Sequence, residues 1–260
     1  MMRILFAISI AGLLGACTAP DPNRRLSTNW IVQPREAPAD PVVVTSGDLV
    51  MKQTLHPTGA SQLGSDYQHG SGDDDFLPEG TLLYEVANPV SKVYCAMNLA
   101  KSGTLQKILS GPSTTQRCLV DSDGDGRFEG KFVARSPIEG VPLVNGQLPK
   151  ELKPVEPPVA YTAVEPSVVG DTYWVGIRYD GKPLLYDRRN FSIDFGNDES
   201  DSGLTDWSYI KAEDMPAELS MMRSRFTVVS EGEDGLVIRI DRMMPPQPFS
   251  VVQTTTYTTY

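Results

Sequence analysis

The chain has 260 residues, 23 of them Lys or Arg and 33 Asp or Glu, which gives a formal net charge of −10. Hydrophobic residues make up 40% of the chain, enough to bury the core of one large or two small domains. No cluster of cations is present that could replace the counterions of a phosphate backbone, so we expect no nucleic-acid partner. The 22 glycines and 21 prolines favour short strands and turns over helices.

The amino terminus is typical of an export signal. Arg3 precedes an apolar run at residues 4–14 that is too short for a transmembrane helix, and small residues follow it. The segment Leu14-Gly15-Ala16-Cys17 resembles the lipobox of bacterial lipoproteins. The resemblance implies that residues 1–16 are a signal peptide and that lipid on Cys17 anchors the mature protein in a membrane. The alternative is an ordinary signal peptide with an incidental cysteine near its cleavage site.

The residues after the lipobox predict a location and a spacer. In well-studied Gram-negative lipoproteins an Asp after the cysteine retains the protein in the inner membrane, but here Thr18 occupies that position. The resemblance therefore implies a lipid anchor in the outer membrane of the cell envelope, on its periplasmic or its surface side. Residues 17–41 are rich in proline and predict an extended tether. Within it, the apolar segment 30–32 is expected to dock on the folded domain, and the lipid interface is the alternative.

Short runs of β-branched and aromatic residues alternate with turn residues from Val42 onward, which predicts strands. These runs are Asp48–Leu55, Thr81–Val86, Lys92–Met97, Arg127–Ala134, Tyr173–Tyr179, Phe191–Phe195, Arg225–Ser230 and Leu236–Asp241. We expect a mainly β fold, an antiparallel sandwich or barrel-like sheet with long proline-rich connections. Helix is expected only at Thr104–Leu109 and Pro216–Arg223.

Two features predict how the strands are connected. Asp180-Gly181 favours a tight turn that returns the strand Tyr173–Tyr179 along Leu184–Asp187. Prolines crowd residues 137–166 and offer no donor to a strand ladder, so we expect no central strand there. A proline-rich connection at 137–158 would then separate a β-rich part at 42–136 from another at 159–260, and the two parts form either one domain or two.

Cysteine usage predicts one disulfide bond. With Cys17 lipidated, Cys95 and Cys118 remain as an even pair in an exported protein, the setting in which disulfides form. Such a bond stabilises a domain by about 3 kcal/mol for a loop of this size. Two reduced thiols or a metal pair are the alternatives, and a metal pair is disfavoured because no CxxC spacing or neighbouring histidine is present.

An acidic loop follows Cys118 directly. Asp121, Asp123 and Asp125, with Gly126 behind them, resemble the first half of an EF-hand calcium loop, in which alternate carboxylates converge on a hard cation. The resemblance implies a calcium site in which Arg127 contributes its carbonyl and Glu129 acts through water. A solvated Asp-Gly turn is the alternative.

The acidic loop departs from an EF-hand at its end. Phe132 stands where a bidentate Glu is expected, and Arg127–Ala134 is predicted to be a strand rather than an exiting helix. A missing ligand would have to come from the acidic runs at Asp73–Asp75 or Asp198–Asp201. If an ion binds, a structural role is expected rather than a catalytic one.

Catalytic signals are sparse. The chain has 2 histidines and no Gly-x-Ser-x-Gly elbow, so a catalytic triad is not indicated. We expect a structural or binding module with an envelope protein or glycan as partner. The alternative is a tethered hydrolase acting on envelope or extracellular polysaccharide, which requires a carboxyl group of raised pKa. Six aromatic residues cluster in the carboxyl-terminal half, either as core or as a face that stacks on sugars: Tyr161, Tyr173, Trp174, Tyr179, Tyr186 and Phe191.

Overall fold

The computed structural model describes residues 21–72, 75–97, 100–101, 114–136, 141–197 and 201–251. Strands account for 57% and helices for 5% of the structure, and the sheets are antiparallel and curled. The prediction of a mainly β, antiparallel fold with little helix is therefore confirmed. Among the described residues, no helix has the length and hydrophobicity needed to cross a bilayer.

The strands are short and are numbered here in chain order. They are β1 (Arg25–Ser27), β2 (Trp30–Val32), β3 (Val42–Val44), β4 (Leu49–Pro57), β5 (Ala60–Leu63), β6 (Tyr67–Gln68), β7 (Phe76–Leu77), β8 (Leu82–Val86), β9 (Lys92–Ala96), β10 (Ala100–Lys101), β11 (Thr114–Asp121), β12 (Arg127–Ser136), β13 (Asn145–Gln147), β14 (Lys153–Val164), β15 (Trp174–Gly181), β16 (Arg188–Gly196), β17 (Asp201–Lys211), β18 (Ala217–Leu219), β19 (Arg225–Gly232), β20 (Gly235–Arg242) and β21 (Pro248–Phe249). Single turns of 3₁₀ helix lie at Pro22–Arg24, Pro166–Val169 and Ala212–Asp214.

Six strands pair into a sheet that closes on itself. The order is β8-β9-β11-β12-β14-β5, and β5 pairs back to β8. Successive side chains of a strand point to opposite faces, so the closed sheet buries two clusters. Leu83, Leu119 and Phe128 belong to the inner cluster, to which all six strands contribute. Cys95 and Cys118 belong to the other cluster, which strands β1 and β13 help to cover.

Two further sheets pack into a sandwich. One has the order β17-β16-β15-β4-β2-β21 and the other has the order β18-β19-β20-β3. Phe191 and Ile177 from the first sheet share one buried cluster with Phe226 and Ile238 from the second. The sandwich therefore contains strands that precede the closed sheet in the sequence and strands that follow it. Strand pairings thus join residues on both sides of the predicted connection at 137–158.

The proline-rich segment contains a strand, contrary to the sequence-based expectation. Strand β14 pairs with β12 on one side and with β5 on the other. Its register with β12 is interrupted between Pro154 and Val159, and only residues 161–164 pair with β5. Pro157 and Pro158 therefore lie in the interruption, where no ladder donor is required. Prolines that exclude a regular central strand are compatible with this irregular one.

The predicted tether is folded from Arg25 onward. Strand β2 pairs with β4 and β21, and the side chain of Trp30 is fully buried in the sandwich core. The Trp30 indole donates a hydrogen bond of 2.9 Å to the carbonyl of Pro142 and stacks on Tyr84 of the closed sheet. The expected docking of residues 30–32 on the domain is therefore confirmed, and this segment joins the two cores.

Two local expectations were wrong. The strand predicted at Leu184–Asp187 is a loop, because β15 runs through Gly181 and the returning strand begins at Arg188. The helix predicted at Pro216–Arg223 is replaced by β18, which pairs with β19, and by a tight turn with left-handed Met222 and Arg223, with φ of 47° and 60°. In both places tertiary pairing overrides the local signal. The helix expected at Thr104–Leu109 lies outside the described residues.

Because Trp30 is fully buried, its removal is expected to destabilise the protein. Trp30→Ala should lower the free energy of unfolding by about 3–5 kcal/mol, because it leaves a large cavity and an unpaired carbonyl at Pro142. Urea unfolding of the full chain measures this change. The control is Leu184→Ala, since Leu184 is 99% exposed and its loss should change the same quantity by less than about 0.5 kcal/mol. Equal losses in the two variants would contradict the embedded role of β2.

Candidate metal centre

The acidic loop is the turn of the β11–β12 hairpin. Strand β11 ends at Asp121 and β12 begins at Arg127, so five residues reverse the chain. Gly124 and Gly126 have φ values of +80° and +87°, in the left-handed region that glycine adopts without strain. The two glycines let the loop curl back over the end of β11, which brings its alternate carboxylates to one side.

Asp121 is a buried carboxylate that organises this turn. Its side chain is fully buried and accepts hydrogen bonds from the backbone N–H of Gly124 at 2.6 Å and of Gly126 at 3.1 Å. The Tyr161 hydroxyl donates a third hydrogen bond at 2.7 Å. Burial alone would raise the pKa of Asp121, but these three hydrogen bonds and the charge of Lys92 outweigh it and lower the pKa. The carboxylate therefore stays ionised in spite of its burial.

The other loop carboxylates bond to the backbone around them. Asp123 accepts from the N–H of Asp125 at 3.1 Å, and Asp125 accepts from the N–H of Arg127 at 2.8 Å. Glu129 reaches back from β12 to accept from the N–H of Ser122 at 3.0 Å. A carboxylate has two oxygens and about four lone-pair sites, so each of these groups keeps acceptor capacity for a cation.

The loop brings four carboxylates together. Asp121, Asp123, Asp125 and Glu129 each offer one oxygen, and these oxygens all lie within 4.8 Å of one another. Ligands on opposite sides of a calcium ion are about 5 Å apart, since each Ca–O bond is 2.3–2.6 Å. The spacing therefore fits one shared cation, and the all-oxygen donor set is typical of a hard cation.

Not every residue that the sequence proposed joins the cluster. Phe132 is buried against the disulfide pair, so position twelve of the loop supplies no ligand. Asp75 is engaged with Arg117, with 2.7 Å between Oδ1 and Nε. The side chains of Asp73, Asp74, Asp198, Glu199 and Asp201 lie outside the described part of the chain. A carbonyl ligand from Arg127 stays a prediction, because only its N–H has a described role in the loop.

Tyr161 contacts the acidic loop, and this contact was not predicted from the sequence. Its ring stacks on Phe128 with 4.3 Å between centroids and packs at 5.2 Å from Tyr94. Burial and the adjacent Asp121 carboxylate raise the pKa of the Tyr161 hydroxyl, so it donates throughout the physiological range. No local signal could have found it, because it lies 40 residues further along the chain and arrives through the pairing of β12 with β14.

The predicted cysteine pair lies directly behind the loop. The sulfur atoms of Cys95 and Cys118 are 1.98 Å apart, at disulfide-bonding distance, and both side chains are fully buried. The two residues are opposite each other in the pairing of β9 with β11. The bond therefore fixes β11 three residues before Asp121, which is where the acidic loop begins.

The pKa values of the buried histidine and of four exposed or partly exposed carboxyl groups bear on the hydrolase alternative. His69 is buried, its Nε2 lies 3.2 Å from the carbonyl of Cys118, and burial lowers its pKa. Hydrogen bonds from neighbouring groups lower the pKa values of four further carboxyl groups, Asp48, Asp75, Asp187 and Asp241. None of these carboxyl groups has the raised pKa that a glycoside hydrolase requires of its acid.

The chain matches no protein-family model, and no curated protein or solved structure is significantly similar to it.

The lowered pKa of Asp121 predicts an acid effect. A carboxyl group whose pKa is lower in the folded chain than in the unfolded chain stabilises the fold at pH values above its unfolded-state pKa. This stabilisation is lost as the pH falls through the folded-state pKa. With a chelator present, the wild-type chain should lose stability below about pH 4, and Asp121→Asn should be destabilised at neutral pH and less sensitive to acid. Urea unfolding across this pH range measures both effects. An acid dependence identical in the two proteins would contradict the described role of Asp121.

Proposed function

We propose that this protein is a lipid-anchored envelope protein whose β-rich globule, a structural or binding module, is stabilised by a calcium ion at the acidic loop. The observation that carries the calcium proposal is the convergence of Asp121, Asp123, Asp125 and Glu129 within 4.8 Å. The observation that motivates the anchor is the resemblance of residues 14–17 to a lipobox.

The donor set favours calcium over other biological cations. Four carboxylates without a histidine or thiolate disfavour zinc and copper, which prefer nitrogen and sulfur ligands. Magnesium needs a near-ideal octahedron, whereas calcium accepts six to eight oxygens in irregular arrangements. The half-open loop, with Asp123 and Asp125 exposed, leaves room for water molecules to complete such a shell.

A bound cation would stabilise the fold because it removes a repulsion. Four negative charges in so small a volume disfavour one another when no cation is present. The unfolded chain does not hold them together, so a cation binds the folded state preferentially and raises its stability. Because the disulfide pair and the aromatic stack of Tyr161 and Phe128 adjoin the loop, this effect would reach the closed sheet.

A lipid on Cys17 would hold the globule close to the membrane. Strand β1 begins at Arg25, eight residues after Cys17. Even a fully extended segment of that length spans only roughly 25 Å. The proposed anchor and the folded part are therefore separated by a short connection rather than by the whole of residues 17–41.

Calcium should raise the melting temperature of the chelator-treated full chain. At about 100 times the dissociation constant, binding adds about 2.7 kcal/mol to the folded state, which corresponds to roughly 5–10 °C for a chain of this size. Asp123→Asn and Asp125→Asn should each reduce the shift, because both side chains are exposed and can be changed without loss of packing. Differential scanning calorimetry with and without calcium measures it.

The matched control for the calcium experiment is Glu233→Gln. This residue is an exposed acid in the turn of the β19–β20 hairpin, away from the carboxylate cluster. Its calcium-dependent shift should equal that of the wild type. If the wild type shows no shift, or if the loop variants keep the full shift, the calcium proposal is wrong.

The anchor proposal has its own test. Intact mass spectrometry of protein extracted from bacterial membranes should show a chain that begins at Cys17 and carries acyl groups. Cys17→Ala should remove the acyl groups and leave residues 1–16 attached, while Cys95 and Cys118 remain bonded. A wild-type chain with a free Cys17 thiol, or with an amino terminus elsewhere, would refute the anchor.

A further inference from the structure

Three exposed aromatic residues lie together on the sandwich, far in the chain from the acidic loop. The exposed fractions of Tyr186, Trp207 and Tyr209 are 58%, 51% and 47%. Of the aromatic cluster singled out in the sequence, Tyr173, Trp174, Tyr179 and Phe191 are buried in the core, Tyr161 is half-buried beside the acidic loop, and Tyr186 is exposed. The exposed group therefore requires an explanation of its own.

The strand register places Trp207 and Tyr209 on the outer face of the sandwich sheet β17-β16-β15-β4-β2-β21, and Tyr186 lies in the loop before β16. Asn190 of β16 is opposite Tyr209 of β17, and Ser192 is opposite Trp207. Directly opposed residues in an antiparallel pair share a face, so a row of two polar side chains runs beside a row of two aromatic rings. The rings of Trp207 and Tyr209 are 5.9 Å apart with an angle of 31° between their planes. They form a tilted platform on the edge strand.

Arg188 holds the platform together. Its guanidinium carbon lies 4.7 Å from the ring centroid of Tyr186, 5.2 Å from that of Trp207 and 5.4 Å from that of Tyr209. Contacts of a cation with three aromatic faces are mutually favourable and fix the ring positions. The aromatic groups are therefore ordered before any ligand arrives, which lowers the entropy loss of binding.

A polar pocket of about 290 Å³ adjoins the platform. Asp180, Arg188, Asn190, Ser192 and Trp207 line it. Asp180 accepts a hydrogen bond of 2.8 Å from the Ser192 hydroxyl and keeps its remaining lone pairs. Two atoms of the lining are buried without a hydrogen-bond partner, Nε of Arg188 and Oδ1 of Asn190. Unpaired buried polar atoms are rare in folded proteins, and here a donor and an acceptor occur in one pocket.

The combination of groups matches the chemistry of a sugar ring. The C–H face of a pyranose is apolar and stacks on an aromatic ring, while its hydroxyl groups both donate and accept hydrogen bonds. The platform supplies the aromatic face, and the pocket supplies a carboxylate, an amide, a hydroxyl and a guanidinium. The carboxylate of Asp180 and the net charge of −10 disfavour a polyanionic chain.

We propose that a patch on the outer face of the sandwich sheet β17-β16-β15-β4-β2-β21, together with the adjoining loop residue Tyr186, is a binding site for an uncharged saccharide. The strand residues of this patch are Asp180, Arg188, Asn190, Trp207 and Tyr209. A sugar ring stacks on the faces of Trp207 and Tyr209 that Arg188 leaves uncovered, and its hydroxyl groups bond to the pocket. The site depends neither on the calcium loop, which belongs to the closed sheet, nor on lipid at Cys17. A negative result for the saccharide site would therefore leave the calcium and lipid-anchor proposals unaffected, and the reverse also holds.

The intrinsic fluorescence of the protein provides a direct probe. Trp30 and Trp174 are 0% and 5% exposed, so Trp207 is the tryptophan that a ligand in solution can reach. The full chain, purified in a detergent without a sugar headgroup, is titrated with cellohexaose, laminarihexaose, maltohexaose and chitohexaose. Hexagalacturonate serves as the anionic comparison. At least one neutral oligosaccharide should change the Trp207 emission saturably at up to millimolar concentration.

Calorimetric titration of variants assigns the site. Trp207→Ala and Tyr209→Ala should each weaken binding of that oligosaccharide by about tenfold or more, because each removes a stacking face. Phe76→Ala is the matched control, because Phe76 is an aromatic residue that is 47% exposed and lies outside the sandwich, in the pair β6-β7. This variant should bind the oligosaccharide as the wild type does. Unchanged melting temperatures establish that the variants are folded.

Three results would overturn the saccharide site. The first is that none of the four neutral oligosaccharides binds. The second is that binding is unaffected by both platform variants. The third is that hexagalacturonate alone binds, which would mean that Arg188 recruits an anion instead. Self-association that Trp207→Ala abolishes, without any saccharide binding, would assign the face to a second copy of this chain and would equally refute the proposal.

Discussion

The buried carboxylate of Asp121 is the constraint on which the acidic loop depends. A charge at the end of a strand that faces the core is tolerated only if its lost hydration is replaced by hydrogen bonds. Two loop N–H groups and the Tyr161 hydroxyl supply these bonds. Satisfying the charge forces the loop to curl around it, and the same curl aligns Asp123, Asp125 and Glu129. The geometry that suits a cation is thus also the geometry that keeps one ionised group inside the protein.

Contacts on both faces of the closed sheet hold the acidic loop in place. The cysteine pair joins β9 to β11 across the seam where the two hairpins of the closed sheet meet. On the other face, Tyr161 and Phe128 stack and carry β14 against β12. Trp30 links this sheet to the sandwich, whose outer face presents the aromatic platform. The acidic loop and the aromatic platform therefore belong to different sheets of one β-rich body.

Local patterns predicted most strands and the acidic loop, since both are encoded by neighbouring residues. Alternation identified β19 and β20, and the spacing of Asp121, Asp123 and Asp125 identified their convergence. Long-range pairing could not be predicted. Prolines in β14 are tolerated because the register is interrupted beside them, and Tyr161 reaches Asp121 only through that strand. The aromatic platform was not predicted, because only the structure shows that Trp207 and Tyr209 are exposed while other Trp and Tyr residues lie in the core.

Calorimetric titration of calcium into the chelator-treated full chain measures whether the acidic loop binds calcium. If it does, a saturable heat that corresponds to one ion per chain is expected, and this heat should be lost when Asp123 and Asp125 are both changed to Asn. Such a result would mean that the four carboxylates act as one site. The absence of saturable heat up to millimolar calcium, or an unchanged titration curve in the double variant, would contradict calcium binding by this loop and leave an acidic turn held by its own hydrogen bonds.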